Sequence, residues 1–171
     1  TVNDDRDLKL FGLKQDWSYD VSNKVLLKFG LDVKRLKSKF TYSKEINNEF
    51  ITANDSLTWQ TAMTDVQRTV NGNQLGFYLS SRFQILNPIT LETGLRYDYT
   101  SYSNDKLWSP RVGLVYSLAK TTFLRGGWGY YYQTQNIGDL RLEFDESTYQ
   151  PTHLSKHYVL SLEHHFNNGI Q

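Results

Sequence analysis

The sequence predicts an all-β fold: an antiparallel, up-and-down sheet of about seven strands that forms a segment of a transmembrane β-barrel. Three observations predict it. Apolar and polar residues alternate through seven segments, and helical period is nowhere convincing. One face of the alternation is fully charged. The connections sort by length, short and long in strict turn.

The first strand runs from about Leu8 to Tyr19, with Phe11, Leu13, Trp17 and Tyr19 opposite Gly12, Lys14, Asp16 and Ser18. The second begins near Val25, where Val25, Leu27, Phe29, Leu31 and Val33 alternate with Leu26, Lys28, Gly30, Asp32 and Lys34. The third, Gln74–Ile85, sets Leu75, Phe77, Leu79, Phe83 and Ile85 against Gln74, Gly76, Ser80, Arg82 and Gln84. In the fourth, Ile89–Tyr99, Ile89, Leu91, Leu95, Tyr97 and Tyr99 oppose Thr90, Glu92, Gly94, Arg96 and Asp98. The fifth and sixth lie in "SPRVGLVYSLAKTTFLRGGWGYYYQ" (109–133). Trp108, Val112, Leu114 and Tyr116 there share a face opposite Arg111, Gly113 and Ser117. Beyond "AKT", Leu124, Trp128, Tyr130 and Tyr132 oppose Arg125, Gly127, Gly129 and Tyr131. The seventh, His157–Phe166, places Tyr158, Leu160, Leu162 and Phe166 opposite His157, Ser161, Glu163 and His165.

The short connections are "DVSNK" (20–24), "LNP" (86–88), "AKT" (119–121) and "NNG" (167–169); the long ones are expected over 46–72, 100–107 and 134–154. In a meander this puts all tight turns at one end and all long loops at the other. Outer-membrane barrels have that asymmetry, with the long loops extracellular; Greek-key sandwiches have no reason for it.

The polar face places Lys14, Asp16, Lys28, Asp32, Arg82, Glu92, Arg96, Asp98, Arg111, Arg125 and Glu163 in mid-strand, interleaved with glycines. Interiors of sandwiches and small barrels are packed with apolar side chains, so this face must be solvated. The apolar face then needs a cover, and no amphipathic helix or second layer supplies one. In a membrane, lipid covers it and the charged face lines a wet or plugged lumen.

Composition agrees. Of 171 residues, 19 are Lys or Arg and 18 Asp or Glu, a net charge of +1, which excludes the concentrated positive footprint of a usual nucleic-acid binder. There is no cysteine, hence no disulfide framework and no thiolate metal site. Mean hydropathy is −0.57 and no run approaches the ~20 apolar residues of a transmembrane helix, whereas barrel strands expose only alternate residues to lipid. "TVNDDRDLKL" is not a signal peptide. Aromatic residues reach 15%; Trp17, Tyr19, Tyr97, Tyr99, Trp108, Tyr130, Tyr132 and Tyr158 fall near strand ends, as an interfacial girdle requires. Seven strands would leave two bare edges in hydrocarbon, and "NNGIQ" stops where another strand should begin, so the segment is expected to belong to a larger barrel.

At "LETGLRYDY" (91–99), "SPRVGLVYSLAKTTFLRGGWGYYYQ" (109–133) and "LSKHYVLSLEHHF" (154–166) the chain resembles the β-barrel of TonB-dependent outer-membrane receptors. The shared pattern is Gly-Leu-Arg-Tyr-Asp, then Ser-Pro-Arg opening the next strand. Thr-x-Leu-Arg-x-Gly-x-Gly then runs into Tyr-x-Gln, and a His/Tyr-bearing strand ends in Glu-His-x-Phe. Residues 8–37 look like an earlier hairpin of the same barrel. The resemblance implies a barrel of about 22 strands, with residues 1–171 part of a single barrel domain and the plug domain outside this chain. It also implies the outer membrane of a Gram-negative bacterium. TonB-coupled uptake of a siderophore, cobalamin, haem, glycan or peptide would follow, with the lipid bilayer, the receptor's own plug, TonB and the ligand as partners. The alternative is another large outer-membrane barrel, a passive channel or an adhesin-like structural protein.

Candidate site residues are few. Glu92, Arg96, Asp98, Arg111 and Arg125 form the charged wall; they are expected to pair with one another, with plug or ligand contact as the functional reading. Asp139, Glu143, Asp145 and Glu146 in "GDLRLEFDEST" form an acidic loop cluster, read as solvated surface or as contacts for an extracellular cation or ligand. His153, His157, His164 and His165 do not make a metal site, because His164 and His165 point to opposite faces of a strand. No cofactor is expected. No nucleophile motif or rigid carboxylate pair supports an enzyme.

Overall fold

The computed structural model describes residues 1–51, 57–142 and 148–166. Seven strands follow in chain order: β1 (Val2–Ser22), β2 (Val25–Ile51), β3 (Leu57–Leu86), β4 (Ile89–Thr100), β5 (Asp105–Ala119), β6 (Thr122–Gln133) and β7 (His153–His164). They form one sheet in the order β1-β2-β3-β4-β5-β6-β7, with every neighbouring pair antiparallel. The sheet is not closed within this chain. Tight turns at Asn23–Lys24, Asn87–Pro88 and Lys120–Thr121 share one end. Each follows a register shift, between Asp20 and Ser22, Gln84 and Leu86, and Ser117 and Ala119. One extra residue there sharpens the local twist and lets the chain reverse within two residues.

The faces fall where the alternation predicts, because a period of two fixes them once pairing is in register. Register aligns Leu31, Phe77, Tyr97 and Trp108 in one row on the apolar face. Tyr97 and Trp108 have ring centroids 4.7 Å apart in that row. On this face Phe11, Leu13, Leu95, Leu114, Tyr158 and Leu160 are exposed, Leu160 by 78%. From Ile89 to Tyr99 the apolar row covers ten steps of about 3.3 Å, which at a barrel tilt of ~40° spans about 25 Å, the height of a bilayer's apolar band.

Four expectations are corrected. Residues 46–72 are not a loop: β2 continues to Ile51 and β3 begins at Leu57, paired through Ile51↔Leu57. β1 likewise starts at Val2 rather than near Leu8. These stretches lack an apolar outer face, yet ladder hydrogen bonds do not require one outside a membrane. The connection expected at 100–107 is a turn over 101–104, closed by Asn104 at φ 56°, a conformation Asn tolerates. The last strand is His153–His164, shifted from the expected His157–Phe166. The asymmetry between ends therefore resides in long paired strands and one long connection, 134–152.

That connection makes the only close-packed apolar cluster among the described residues. It turns back over the polar face, where Ile137 and Leu140 are 0% exposed and Leu142 is buried. Leu140 and Leu142 pack with Phe40 and Tyr42 of β2, flanked by Val66 and Val70 of β3 and by Tyr149. We call it the strap. Burying each of these large side chains contributes about 1.5–3 kcal/mol.

Candidate functional site

The polar face has two tiers. The lower one, level with the apolar band, is a wall of short ion pairs. Arg96 on β4 grips Asp98 two residues on, Nε and Nη2 each donating to the carboxylate at 2.7 Å. Arg82 of β3 donates through Nε to Glu92 of β4 at 2.5 Å. Arg125 of β6 donates through Nε to Glu163 of β7 at 2.6 Å, and Glu163 also meets His165 at 2.7 Å. Lys34 and Asp32 pair at 2.9 Å on β2. In solvent such pairs contribute about 0–1 kcal/mol each; they leave the wall nearly neutral and ordered.

Arg111 differs. It belongs to the predicted charged wall and shares the face of Glu92, Arg96, Asp98 and Arg125, yet no carboxylate ion pair to it is found among the described residues. Its guanidinium lies over the Tyr131 ring, 4.7 Å from the centroid. It borders a hollow of about 300 Å³ lined also by Asp32, Lys34, Arg96, Asp98 and Tyr131. It borders a second hollow with Glu92, Gly113, Gly127 and His157. The floor there is bare: a Cβ at Gly113 or Gly127 would meet its nearest neighbour only at 3.8 or 3.9 Å. These glycines leave space beside Arg111 that no described residue fills.

Gly30 acts in the opposite way. A Cβ there would run into Tyr78 and the Asp16 carboxylate. Its absence lets Tyr78 Oη of β3 donate to Asp16 Oδ1 of β1 at 2.8 Å, across the intervening strand. Sequence reasoning placed Asp16 and Gly30 on the polar face but did not single out Tyr78 or pair it with Asp16. The Arg82 and Glu163 partnerships were missed similarly, since only the inter-strand register brings them together.

The upper tier is the strap and what holds it. Arg6 of β1 donates through Nη1 to the Gly138 carbonyl at 2.9 Å while its Nε and Nη2 hold the Asp4 carboxylate. That guanidinium keeps Asp4 below the usual carboxylate range. Tyr102 Oη donates to the Gln135 carbonyl at 3.1 Å, Tyr149 Oη to the Ile137 carbonyl at 2.8 Å, and Thr152 Oγ1 to Asp105 Oδ2 at 2.7 Å. Burial pushes the Tyr149 phenol up to about 12 and also raises Tyr102. A Cβ at Gly72 would strike the Tyr102 ring, so glycine makes room for this anchor.

Of the acidic loop candidates, Asp139 accepts from the Asn136 N–H at 3.2 Å and thereby closes a turn of the strap. Glu143, Asp145 and Glu146 lie outside the described residues. The histidines are dispersed: His164 meets Thr122 Oγ1 at 2.8 Å on the apolar face, whereas His165 faces Glu163. Among the described residues no three His, Asp or Glu side chains are grouped to hold a metal ion.

An apolar belt outside and a hydrated charged wall inside an up-and-down sheet define a segment of an outer-membrane β-barrel. The model of the family described as TonB dependent receptor-like, beta-barrel matches residues 1–164. The chain belongs to that family, which places it in the outer membrane of a Gram-negative bacterium. Among solved structures, it is similar to the outer membrane transporter YddB from Escherichia coli. That match has 21% identity and a TM-score of 0.57 over 81% of this chain and 18% of that one. The alcaligin outer membrane receptor FauA from Bordetella pertussis matches at 16% identity and a TM-score of 0.47, over 97% of this chain and 35% of that one. The ferric enterobactin receptor PfeA from Pseudomonas aeruginosa matches at 11% and 0.39, over 78% and 34%. No curated protein matches the chain.

Proposed function

We propose that the chain forms part of the wall and outer mouth of a receptor for active, TonB-coupled uptake of a scarce nutrient, of small-molecule, glycan or peptide chemistry. In this reading the polar face lines the lumen of a barrel of about 22 strands, and the receptor's plug domain stands against it. The observation that carries it is Arg111: a full charge without a carboxylate partner among the described residues, beside a bare glycine floor, on a wall whose other candidate arginines are paired. A passive pore needs only a hydrated wall, whereas an unfilled charged recess fits a polar body seated in the lumen. The strap connection, with Asp139 in its turn and Glu143, Asp145 and Glu146 beyond it, lies at the extracellular mouth.

Uptake of the receptor's nutrient by intact cells tests this reading. Loss of uptake on deleting TonB, and a reduction of tenfold or more in Arg111→Ala with normal barrel assembly, are expected. Uptake that persists without TonB would assign the barrel to passive diffusion.

A further inference from the structure

Above the apolar band, the outer face of β1 and β2 changes to cations. Arg35, Lys37 and Lys39 occupy successive outward positions on β2 and are all exposed, while Leu36, Ser38 and Phe40 between them are buried. Lys9 of β1 stands directly opposite Lys37. Facing like charges in a sheet is destabilising unless something neutralises them. Asp7 supplies one carboxylate, opposite Lys39 and 4.0 Å from the Lys9 ammonium. Arg35, Lys37 and Lys39 have no ion-pair partner among the described residues. Their other neighbours on β3 are the uncharged Asn73, Asn71 and Thr69.

The height of this patch matters as much as its charge. The row Leu31–Phe77–Tyr97–Trp108 ends the broad apolar band with three aromatic rings, two of them Tyr and Trp, and Val33–Leu75–Tyr99–Lys106 follows it. Arg35 begins the next row. Aromatic rings mark the membrane interface, so the cations sit where outer-leaflet headgroups lie. At the opposite end the outward strand positions are uncharged, Ile85, Ile89, Leu118 and Thr122, and lysines occur only in the turns, at Lys24 and Lys120.

We propose that Lys9, Arg35, Lys37 and Lys39 form a binding site for the phosphates of the phosphorylated glycolipid in the outer leaflet. Alternate residues on one strand lie about 7 Å apart and neighbouring strands about 5 Å, so the four cations converge on one headgroup. The acyl chains then run down the adjoining apolar rows, past Leu31, Phe11 and Leu13. The partner is a lipid rather than a protein because the patch adjoins the belt without a break and its charge is complementary to a phosphate.

The test uses the complete receptor, reconstituted in nanodiscs of neutral phospholipid doped with diphosphorylated lipid A, with lipid A stripped of phosphate, or with phosphatidylglycerol. Retained glycolipid is counted by native mass spectrometry. Arg35→Gln/Lys37→Gln/Lys39→Gln is expected to retain at least tenfold less lipid A with unchanged heat-modifiable mobility. Lys24→Gln/Lys120→Gln at the other end should retain it fully, as should the conservative Arg35→Lys/Lys37→Arg/Lys39→Arg. Should the triple variant fail to assemble, Lys37→Gln alone is expected to lose several-fold. Unchanged retention in the triple or single variant, equal loss in the Lys24/Lys120 control, or equal retention of dephosphorylated lipid A or phosphatidylglycerol would overturn the proposal. Loss of a copurifying protein with lipid unchanged would also overturn it, in favour of a protein partner.

Discussion

Within β2, residues 27–33 and residues 35–42 have the same alternation and opposite polarity. In the first, Leu27, Phe29, Leu31 and Val33 point outward while Lys28 and Asp32 point to the charged wall. In the second, Arg35, Lys37 and Lys39 point outward while Leu36 is buried and Phe40 and Tyr42 are buried under the strap. The strand does not bend its period or slip its register between them. What changes is the surroundings: lipid tails outside and water inside below, then hydrated headgroups outside and protein inside above. Period fixes which residues share a face, and the medium on each side decides which chemistry that face can carry.

The largest effect should come from the buried side of the upper region. Phe40→Ala removes a side chain that is 1% exposed beneath Leu140 and Leu142, at a cost of about 3–5 kcal/mol. Because the strap is one connection, we expect it to detach while the barrel remains assembled. Trypsin should then cut after Arg141 many-fold faster, with heat-modifiable mobility retained. A strap that stays protected would mean that Phe40 does not hold it.

The lower region breaks on its other face. Leu114 pairs with Leu91 in the apolar belt, and Val115 beside it with Thr90 on the polar face. Leu114→Arg should cost roughly 2–4 kcal/mol at mid-membrane depth and deplete assembled barrel. Val115→Arg keeps its guanidinium in water, opposite an Arg125 that Glu163 neutralises, and should cost about 1 kcal/mol at most. Equal damage would mean that the two faces meet the same medium.

Much of this lower region was legible in the sequence. Trp108, Val112 and Leu114 against Arg111 and Gly113 announce both faces, and Arg96 with Asp98 two residues on announces one pair. The upper region was not. Residues 46–72 lose the apolar half of the alternation, so they read as a loop, although pairing continues to Ile51↔Leu57. Ile137, Leu140 and Leu142 lie in an irregular stretch without period, and the partners of the latter two, Phe40 and Tyr42, are supplied by a strand four removed in the sheet order from β6. Register likewise decides that Arg125 meets Glu163 and that Arg111 meets Tyr131, and register is a property of pairs of strands.

Alkali should act on the strap before the wall. Burial raises the Tyr149 phenol to about 12, whereas a solvated phenol ionises near 10. The detached strap therefore binds fewer protons than the docked one between those values. Docking should be unaffected below about pH 10 and weaken progressively towards about pH 12. The mobility of a spin label at Arg141 reports it, and Tyr149→Phe should stay docked to higher pH. Weakening that begins well below pH 10 would exclude this phenol as the cause.

The smallest effect is expected in the charged wall. Exchanging Arg125 and Glu163 singly and together for Gln, in a double-mutant cycle, should give a coupling of about 1 kcal/mol or less, since the pair is solvated. A coupling of several kcal/mol would place the pair in a dry environment.

The inversion itself is tested most directly by a spin-label scan along β2 in the complete receptor in bilayers, one cysteine at a time; this chain contributes none of its own. Labels at 27, 29, 31 and 33 should be relaxed by dissolved oxygen, which concentrates in lipid, and those at 28 and 32 by a water-soluble nickel chelate. From 35 onward the outward labels, 35, 37 and 39, should respond to the chelate, and those at 36, 38 and 40 to neither. An oxygen-accessible odd series that continues through 39, or even positions above 35 that meet the chelate as freely as 28, would contradict it.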